Sequence, residues 1–391
     1  MLKRLTLIVV GVIVVFSCLL FGRAATAFAS IGNATADAVL GQPDFTSSAC
    51  DNPALATNQQ LCQPVSVAVD NMSGMLFVSD GDDNRVLIWP DAQSFLNGAA
   101  ASVVLGRPDF SIVSKCPQAV TAVTLCDPNS LTVDAQGNLF VADTDGNRVL
   151  EYTPPFTDGM NASLVLGQSR FTTDGCDATA TALCHPRGVA LDASGNLFVA
   201  NSDNARILKF TAPLTNDEAA SLVIGQANFT AHKCNQGGRS PTATTLCSTR
   251  GVIFDASSNL YAADTDNNRV LEYNAPLTGS MAASRVLGEP NFTTSVCTTS
   301  AAGLCSPHRV LLDGSGQLYV SDSDNNRVLV YATPLTSRTA TRVFGQPNFT
   351  SNTATTTATG LAAPQGIAFD SHGNLYFTDE DNNRTLRYNV H

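Results

Sequence analysis

The stretch DTDNNRVLEY, residues 264–273, opens like a calcium loop. Its Asp264-x-Asp266-x-Asn268 spacing matches the first ligand positions of an EF-type loop, which also needs a glycine at its sixth position and a glutamate at its twelfth. Arg269 fills the sixth position and Asn274-Ala275 passes where the glutamate should stand. A guanidinium there opposes a cation. The competing reading is a hairpin in which Asp and Asn side chains bond their own backbone. Arg269 then opens one strand beside the acids that end the strand before it, and ion pairing fixes the register. On this reading no metal ligand is expected in the chain, and calcium is the minor alternative.

The stretch is one of six. It recurs as DGDDNRVLIW (80–89), DTDGNRVLEY (143–152), NSDNARILKF (201–210), DSDNNRVLVY (322–331) and DEDNNRTLRY (379–388). The arginines, at 85, 148, 206, 269, 327 and 384, are spaced 57 to 63 residues apart. Three further segments repeat in phase: one like GVALD (188–192), one like GNLFVA (195–200) and one like SLVLGQ (163–168). Each is a short β-branched or aromatic run bounded by Gly, Asn, Asp or Pro, and so reads as a strand. One unit is four strands, here lettered a to d in chain order. Six such units predict an all-β protein, a six-bladed β-propeller of four-stranded antiparallel blades, because radial repetition leaves only short sheet edges. The last copy stops after its c strand, and Ala38-Val39-Leu40-Gly41 resembles a d strand with no a–c partners before it. The two pieces are expected to complete one blade and close the ring.

The segments GVALD, GNLFVAD and NNRVL resemble the NHL repeat, in six copies over essentially the whole chain past the leader. The resemblance implies the propeller fold. It implies little about activity, because propellers of this kind include protein-binding and RNA-binding modules, sensor domains and a lyase.

Lys3 and Arg4 precede an apolar run from Leu5 to Phe21, and Ala27-Phe28-Ala29 offers a small-residue cleavage site before Ser30. Residues 1–29 therefore read as a secretory signal peptide, with an uncleaved anchor as the alternative, and residues 30–391 as one propeller domain. The net charge is −11, and loss of Lys3, Arg4 and Arg23 with the leader takes it to −14. An acidic domain of this kind is not expected to bind nucleic acid or anionic membranes.

Ten cysteines follow the leader. They fall into five pairs, each between a d strand and the next a strand: Cys50 and Cys62, Cys116 and Cys126, Cys176 and Cys184, Cys234 and Cys247, Cys297 and Cys305. The sixth insert, TSNTATTTATGLAAP (350–364), has Ala354 and Ala362 where the fifth has Cys297 and Cys305. Both cysteines are lost together, as expected if each pair forms a disulfide within its own insert in an oxidising compartment. Phe45, Phe110, Phe171, Phe229, Phe292 and Phe349 stand at a fixed offset in the inserts and read as anchors of small satellite cores. Trp89, Tyr152, Phe210, Tyr273, Tyr331 and Tyr388 end the c strands and read as blade packing.

Residues common to all six copies build blades; an asymmetric ligand is read where the copies differ. One such position, placed just before strand a, holds Val65, Asn129, Arg187, Arg250, His308 and Gln365. Strand a lies nearest a propeller axis, so these side chains are expected to ring the top mouth of the central channel. Asn129, Arg187, Arg250, His308 and Gln365 are the candidate ligand-binding residues, and Arg187, Arg250 and His308 form a candidate positive patch for an anion or carboxylate, which arginine grips as a fork. The alternative is that each arginine pairs with an acidic loop of its own rim.

The lyase with this fold implies a histidine metal site at the channel. Only His185 and His308 stand near the mouth; His232 lies in an insert, His372 in an a–b turn and His391 at the terminus. Two fall short of the three protein ligands usual in a catalytic zinc site. The favoured expectation is a secreted or cell-surface, non-catalytic binding propeller for an extracellular protein or glycan ligand, with a lyase- or lactonase-type enzyme as the alternative. No cofactor is expected, and no membrane contact beyond the leader.

Overall fold

The computed structural model describes residues 35–50, 54–111, 116, 119–334 and 336–389; the expected leader and His391 lie outside them. It contains six four-stranded antiparallel sheets. The fourth blade is representative: strand a is Thr249–Phe254, b is Leu260–Asp264, c is Arg269–Tyr273 and d is Arg285–Leu287. The a strands contact one another in sequence around the ring, and that of the sixth blade returns to that of the first. The sixth sheet takes its d strand, Ala38–Leu40, from the other end of the chain, with Val39 opposite Leu386.

Alternation of side chains explains why the inner strands are apolar on both faces. In strand b of the fourth blade, Leu260 and Ala262 point into the cluster shared with the third blade, where they meet Phe198 and Ile207. Tyr261 and Ala263 point the other way, to Val310 and Val320 of the fifth. Every residue of that strand is buried. The aromatic residues that end the c strands, Trp89 and Tyr273 among them, are buried in these inter-blade clusters, and the insert phenylalanines pack on the cluster margins.

The acidic repeat is a hairpin device. Asp264 and Arg269 face each other at the ends of strands b and c, with Nε 2.7 Å from Oδ2 and both side chains fully buried. Between them Thr265–Asn267 makes one 3-10 turn, closed by Asn268 in the left-handed conformation that asparagine tolerates. The other carboxylate oxygen of Asp264 accepts from the Cys247 amide at 2.6 Å. The remaining guanidinium nitrogens donate to the carbonyls of Phe292, Thr242 and Thr245. One arginine thereby ties its hairpin to the insert after it and the insert before it. The phenylalanine carbonyl is the acceptor in all six copies.

All five cysteine pairs are disulfides within single inserts. Cys50 is bonded to Cys62, Cys116 to Cys126, Cys176 to Cys184, Cys234 to Cys247 and Cys297 to Cys305, with Cα separations of 4.4 to 4.9 Å. The sixth insert holds the same backbone without one: the Ala362 amide donates to Asp379 as the Cys305 amide does to Asp322. Of the bonded cysteines, Cys116 reaches the edge of the channel mouth. Among the described residues no helix is long and apolar enough to cross a membrane.

Candidate binding site at the channel mouth

The variable position is not before strand a but is its second residue, after Pro64, Pro128, Pro186, Thr249, Pro307 or Pro364. Proline is tolerated as the first residue of a strand, so it opens the strand here instead of marking its limit. Each of these strands shifts register at this point. In the third blade Pro186 faces Asn201 and Gly188 faces Ala200, leaving Arg187 as the extra residue of a β-bulge. A bulge re-aims one side chain without ending the strand. With these six irregularities in the same place, five of the six variable side chains reach one mouth.

A cavity of about 420 Å³ occupies that mouth. Asn129, Arg187, Arg250 and Gln365 line it, together with Val65. His308 does not; it is buried behind the wall at 7% exposure. Its Nδ1 lies against Gln365 Oε1 and 3.3 Å from an Arg250 terminal nitrogen. Gln365 donates through Nε2 to Glu380, so its oxygen faces the histidine and Nδ1 carries the proton. Two donors then meet between His308 and Arg250, and that contact leaves the arginine unsatisfied. Burial, reinforced by Arg250, holds the His308 pKa well below its usual range. The expected third positive charge is therefore a neutral imidazole.

Arg309, next to the variable position and outside the expected patch, supplies that charge. Its counterparts are Ser66, Ser130, Gly188, Gly251 and Gly366. Glycine suits this place because neighbouring a strands nearly touch: a Cβ on Gly188 would sit 2.0 Å from the Arg250 carbonyl oxygen. Arg309 instead sends its side chain across the axis. One terminal nitrogen reaches Asn129 Oδ1 of the second blade at 2.5 Å, and the other the Arg250 carbonyl at 3.1 Å. This strut links the fifth blade to the second and fourth. Burial and the nearby Arg250 and Arg187 push the Arg309 pKa down to about 9.

Neither Arg187 nor Arg250 has a carboxylate within 4.0 Å among the described residues, against the alternative that each pairs with a rim acid. The Arg250 Nε is buried without a partner. Acids nevertheless line the same cavity. Asp82, Asp127, Asp145 and Glu380 come from the first, second and sixth blades. Burial raises the Asp127 pKa while Arg187 opposes the rise, and Asp145 and Asp82 add to it. Burial pushes Glu380 up to about 7, against the pull of its Gln365 hydrogen bond and of Arg250. The sequence carries a signal for these acids: two residues before the variable position the copies read Gln63, Asp127, His185, Ser248, Ser306 and Ala363, again all but unlike one another. Glu380 likewise replaces Gly81 or the hydroxyls of Thr144, Ser202, Thr265 and Ser323, which bond the next blade's strand a.

His185 stays on the rim, with Nδ1 2.6 Å from Asp203 and Nε2 3.4 Å from Asp145. Among the described residues two clusters of His, Cys and Asp side chains are compact enough to share an ion, and both contain cysteines already joined in disulfides.

A family profile described as "NHL repeat" matches residues 125–152, 183–210 and 304–331. The chain carries NHL repeats and folds as a six-bladed β-propeller. All six NHL-type units share the strand pattern of those three. Mouse Teneurin-1 is 26% identical over 198 residues, which is 45% of this chain; the alignment spans only 7% of that relative's length. Among solved structures, a protein of unknown function from Bacteroides thetaiotaomicron superposes with a TM-score of 0.56 at 14% identity, covering 90% of this chain and 75% of that one. A gluconolactonase from Xanthomonas campestris superposes with a TM-score of 0.50 at 13% identity, covering 90% and 97%. At these identities the likeness concerns the fold alone.

Proposed function

We propose that this NHL propeller is a secreted or cell-surface binding protein that takes an anionic group of an extracellular protein or glycan ligand into the channel mouth. The observation that carries the proposal is the pair of arginines, 187 and 250, on one wall of the cavity without a carboxylate in ion-pair range. A guanidinium partly withdrawn from water regains its lost hydrogen bonds when a carboxylate docks on it, and such charge-assisted bonds are the strong ones. The cavity lies within the size range of small-ligand sites. Five disulfides and the sequence of residues 1–29 support export.

The test is binding of oligosaccharides with and without uronic acids, and of peptides with free or amidated carboxyl ends, to the disulfide-bonded protein. Acidic ligands should bind at least tenfold more tightly than their neutral counterparts. Arg187→Ala with Arg250→Ala should remove that preference and keep the fold, because the Arg187 side chain makes no hydrogen bond among the described residues. Equal binding of acidic and neutral ligands, or an unchanged preference in the double variant, would sink the proposal.

A further inference from the structure

The charges of the mouth are sorted by side. The acids that line it stand on the sixth, first and second blades, as Glu380, Asp82, Asp127 and Asp145; the arginines stand on the third and fourth, as Arg187 and Arg250. Arg309 belongs to neither side, because its guanidinium spans from the Arg250 carbonyl to Asn129 Oδ1 of the second blade. Asp127 feels both mouth arginines electrostatically, yet neither comes within 4.0 Å of it. Opposite charges therefore face each other across the cavity at a separation too wide for a direct ion pair. An occupant of the cavity lies in the field between the two sides.

A ligand carrying only an anion satisfies one wall and is repelled by the other. Like charges a few ångströms apart in a partly buried site repel far more strongly than in bulk water, so the acidic wall is a material penalty for a pure anion. A ligand that presents a positive group to that wall turns the penalty into attraction. We propose that the mouth recognises a zwitterion, a carboxylate and an ammonium carried on one residue, as in a free amino acid or the C-terminal lysine of a peptide. This rests on the reading of the mouth as an anion-binding site and adds the second charge. The carboxylate lies on Arg187 and Arg250, and the ammonium faces Asp127 and Glu380. A site with charged groups waiting on both walls discriminates strongly against analogues that lack one partner group.

Calorimetric titration with four small probes tests this and separates the two possible sources of the zwitterion. L-alanine carries both charges on one carbon. Nα-acetyl-L-lysine carries them as a C-terminal lysine does. N-acetyl-L-alanine has only the anion, and Nα-acetyl-L-lysine amide only the cation. We expect one of the first two to bind at least tenfold more tightly than either of the last two. Tighter binding of L-alanine assigns the free amino acid; tighter binding of Nα-acetyl-L-lysine assigns the peptide end. Asp127→Asn with Glu380→Gln should abolish the advantage of the zwitterion over N-acetyl-L-alanine, with far-ultraviolet circular dichroism and the melting temperature verifying the fold. If N-acetyl-L-alanine binds as well as the zwitterions and loses affinity on Arg187→Ala with Arg250→Ala, the zwitterion proposal falls and anion binding stands. If binding ignores the arginines, both fall. Failure of every probe to bind overturns the zwitterion proposal.

Discussion

Arg250 and Arg269 belong to the same blade and occupy opposite electrostatic situations. Arg269 is fully buried, faces Asp264 at 2.7 Å and spends its other nitrogens on three carbonyls. Arg250 sits half-buried at the mouth beside a neutral histidine, with its Nε orphaned. Arg206 of the third blade stands between the two cases. It keeps the carbonyl contacts of the Arg269 set, but strand b of its blade ends in Asn201, and its Nε has no partner. Burial with no carboxylate to offset it pushes the Arg206 pKa down to about 10. The buried arginine is thus a scaffold part first and a charge second: five copies neutralise it, one leaves it bare, and the hairpin forms in all six.

Deleting a scaffold arginine tests this contrast most severely. Arg269→Ala strands the buried Asp264 carboxylate and three carbonyls, and should cost roughly 3–5 kcal/mol in urea unfolding. A loss under about 1 kcal/mol would mean that the ion pair is not what holds the hairpin. Next in size is the repair of the third blade. Asn201→Asp gives Arg206 the carboxylate its five counterparts have, and its oxygen can still accept from the Cys184 amide as Asn201 does at 2.7 Å. A gain on the order of 1–3 kcal/mol is expected, and a lowered stability would show that the neutral pair is preferred there.

A smaller effect concerns the same loop. Ala205 holds the left-handed conformation, φ 47°, that asparagine takes in the other five copies. Those asparagines accept an amide from the following blade, as Asn147 does from His185 and Asn268 from Ser306. Ala205→Asn should add about 1 kcal/mol by relieving backbone strain and offering the same bond to Ser248. Circular dichroism melting of the single variant measures it.

The mildest perturbation is pH at the mouth. Glu380, pushed up to about 7 by burial, loses its charge as pH falls from 8 to 6. Its charged neighbours are Asp381, Arg250 and Asp127. With one negative charge gone, an anion-only probe such as N-acetyl-L-alanine should bind a few-fold more tightly at pH 6, because its binding and proton uptake by Glu380 favour each other. The zwitterion that presents its ammonium to Glu380 should bind a few-fold more weakly. Replacement by Gln, E380Q, should flatten both profiles.

Much of the scaffold is legible because its causes are local. The strand runs, the Asp264–Arg269 register and the cysteine pairing within each insert, from Cys50–Cys62 to Cys297–Cys305, depend on residues close in the chain. Six copies average out the noise of any one. The mouth is only half legible. Disagreement among copies picks out Arg187 and Arg250, but proline reads as the boundary of strand a when it opens the strand, and His308 reads as a charge that burial removes. Nothing in the neighbourhood of Arg309 says that its side chain will reach Asn129, a residue 180 positions earlier.

The blade, its repetition and the pairing of five buried scaffold arginines with their aspartates are all written along the chain, because each is set by hydrogen bonds and side-chain alternation over a few tens of residues. Which variable residues share a space, and with which sign, emerges only in the closed ring. The bulges turn them inward, and ring formation brings an acidic arc from the sixth, first and second blades against a basic arc from the third and fourth. Coulombic and desolvation energies depend on distance through space, and that distance exists only once the blades surround a common axis.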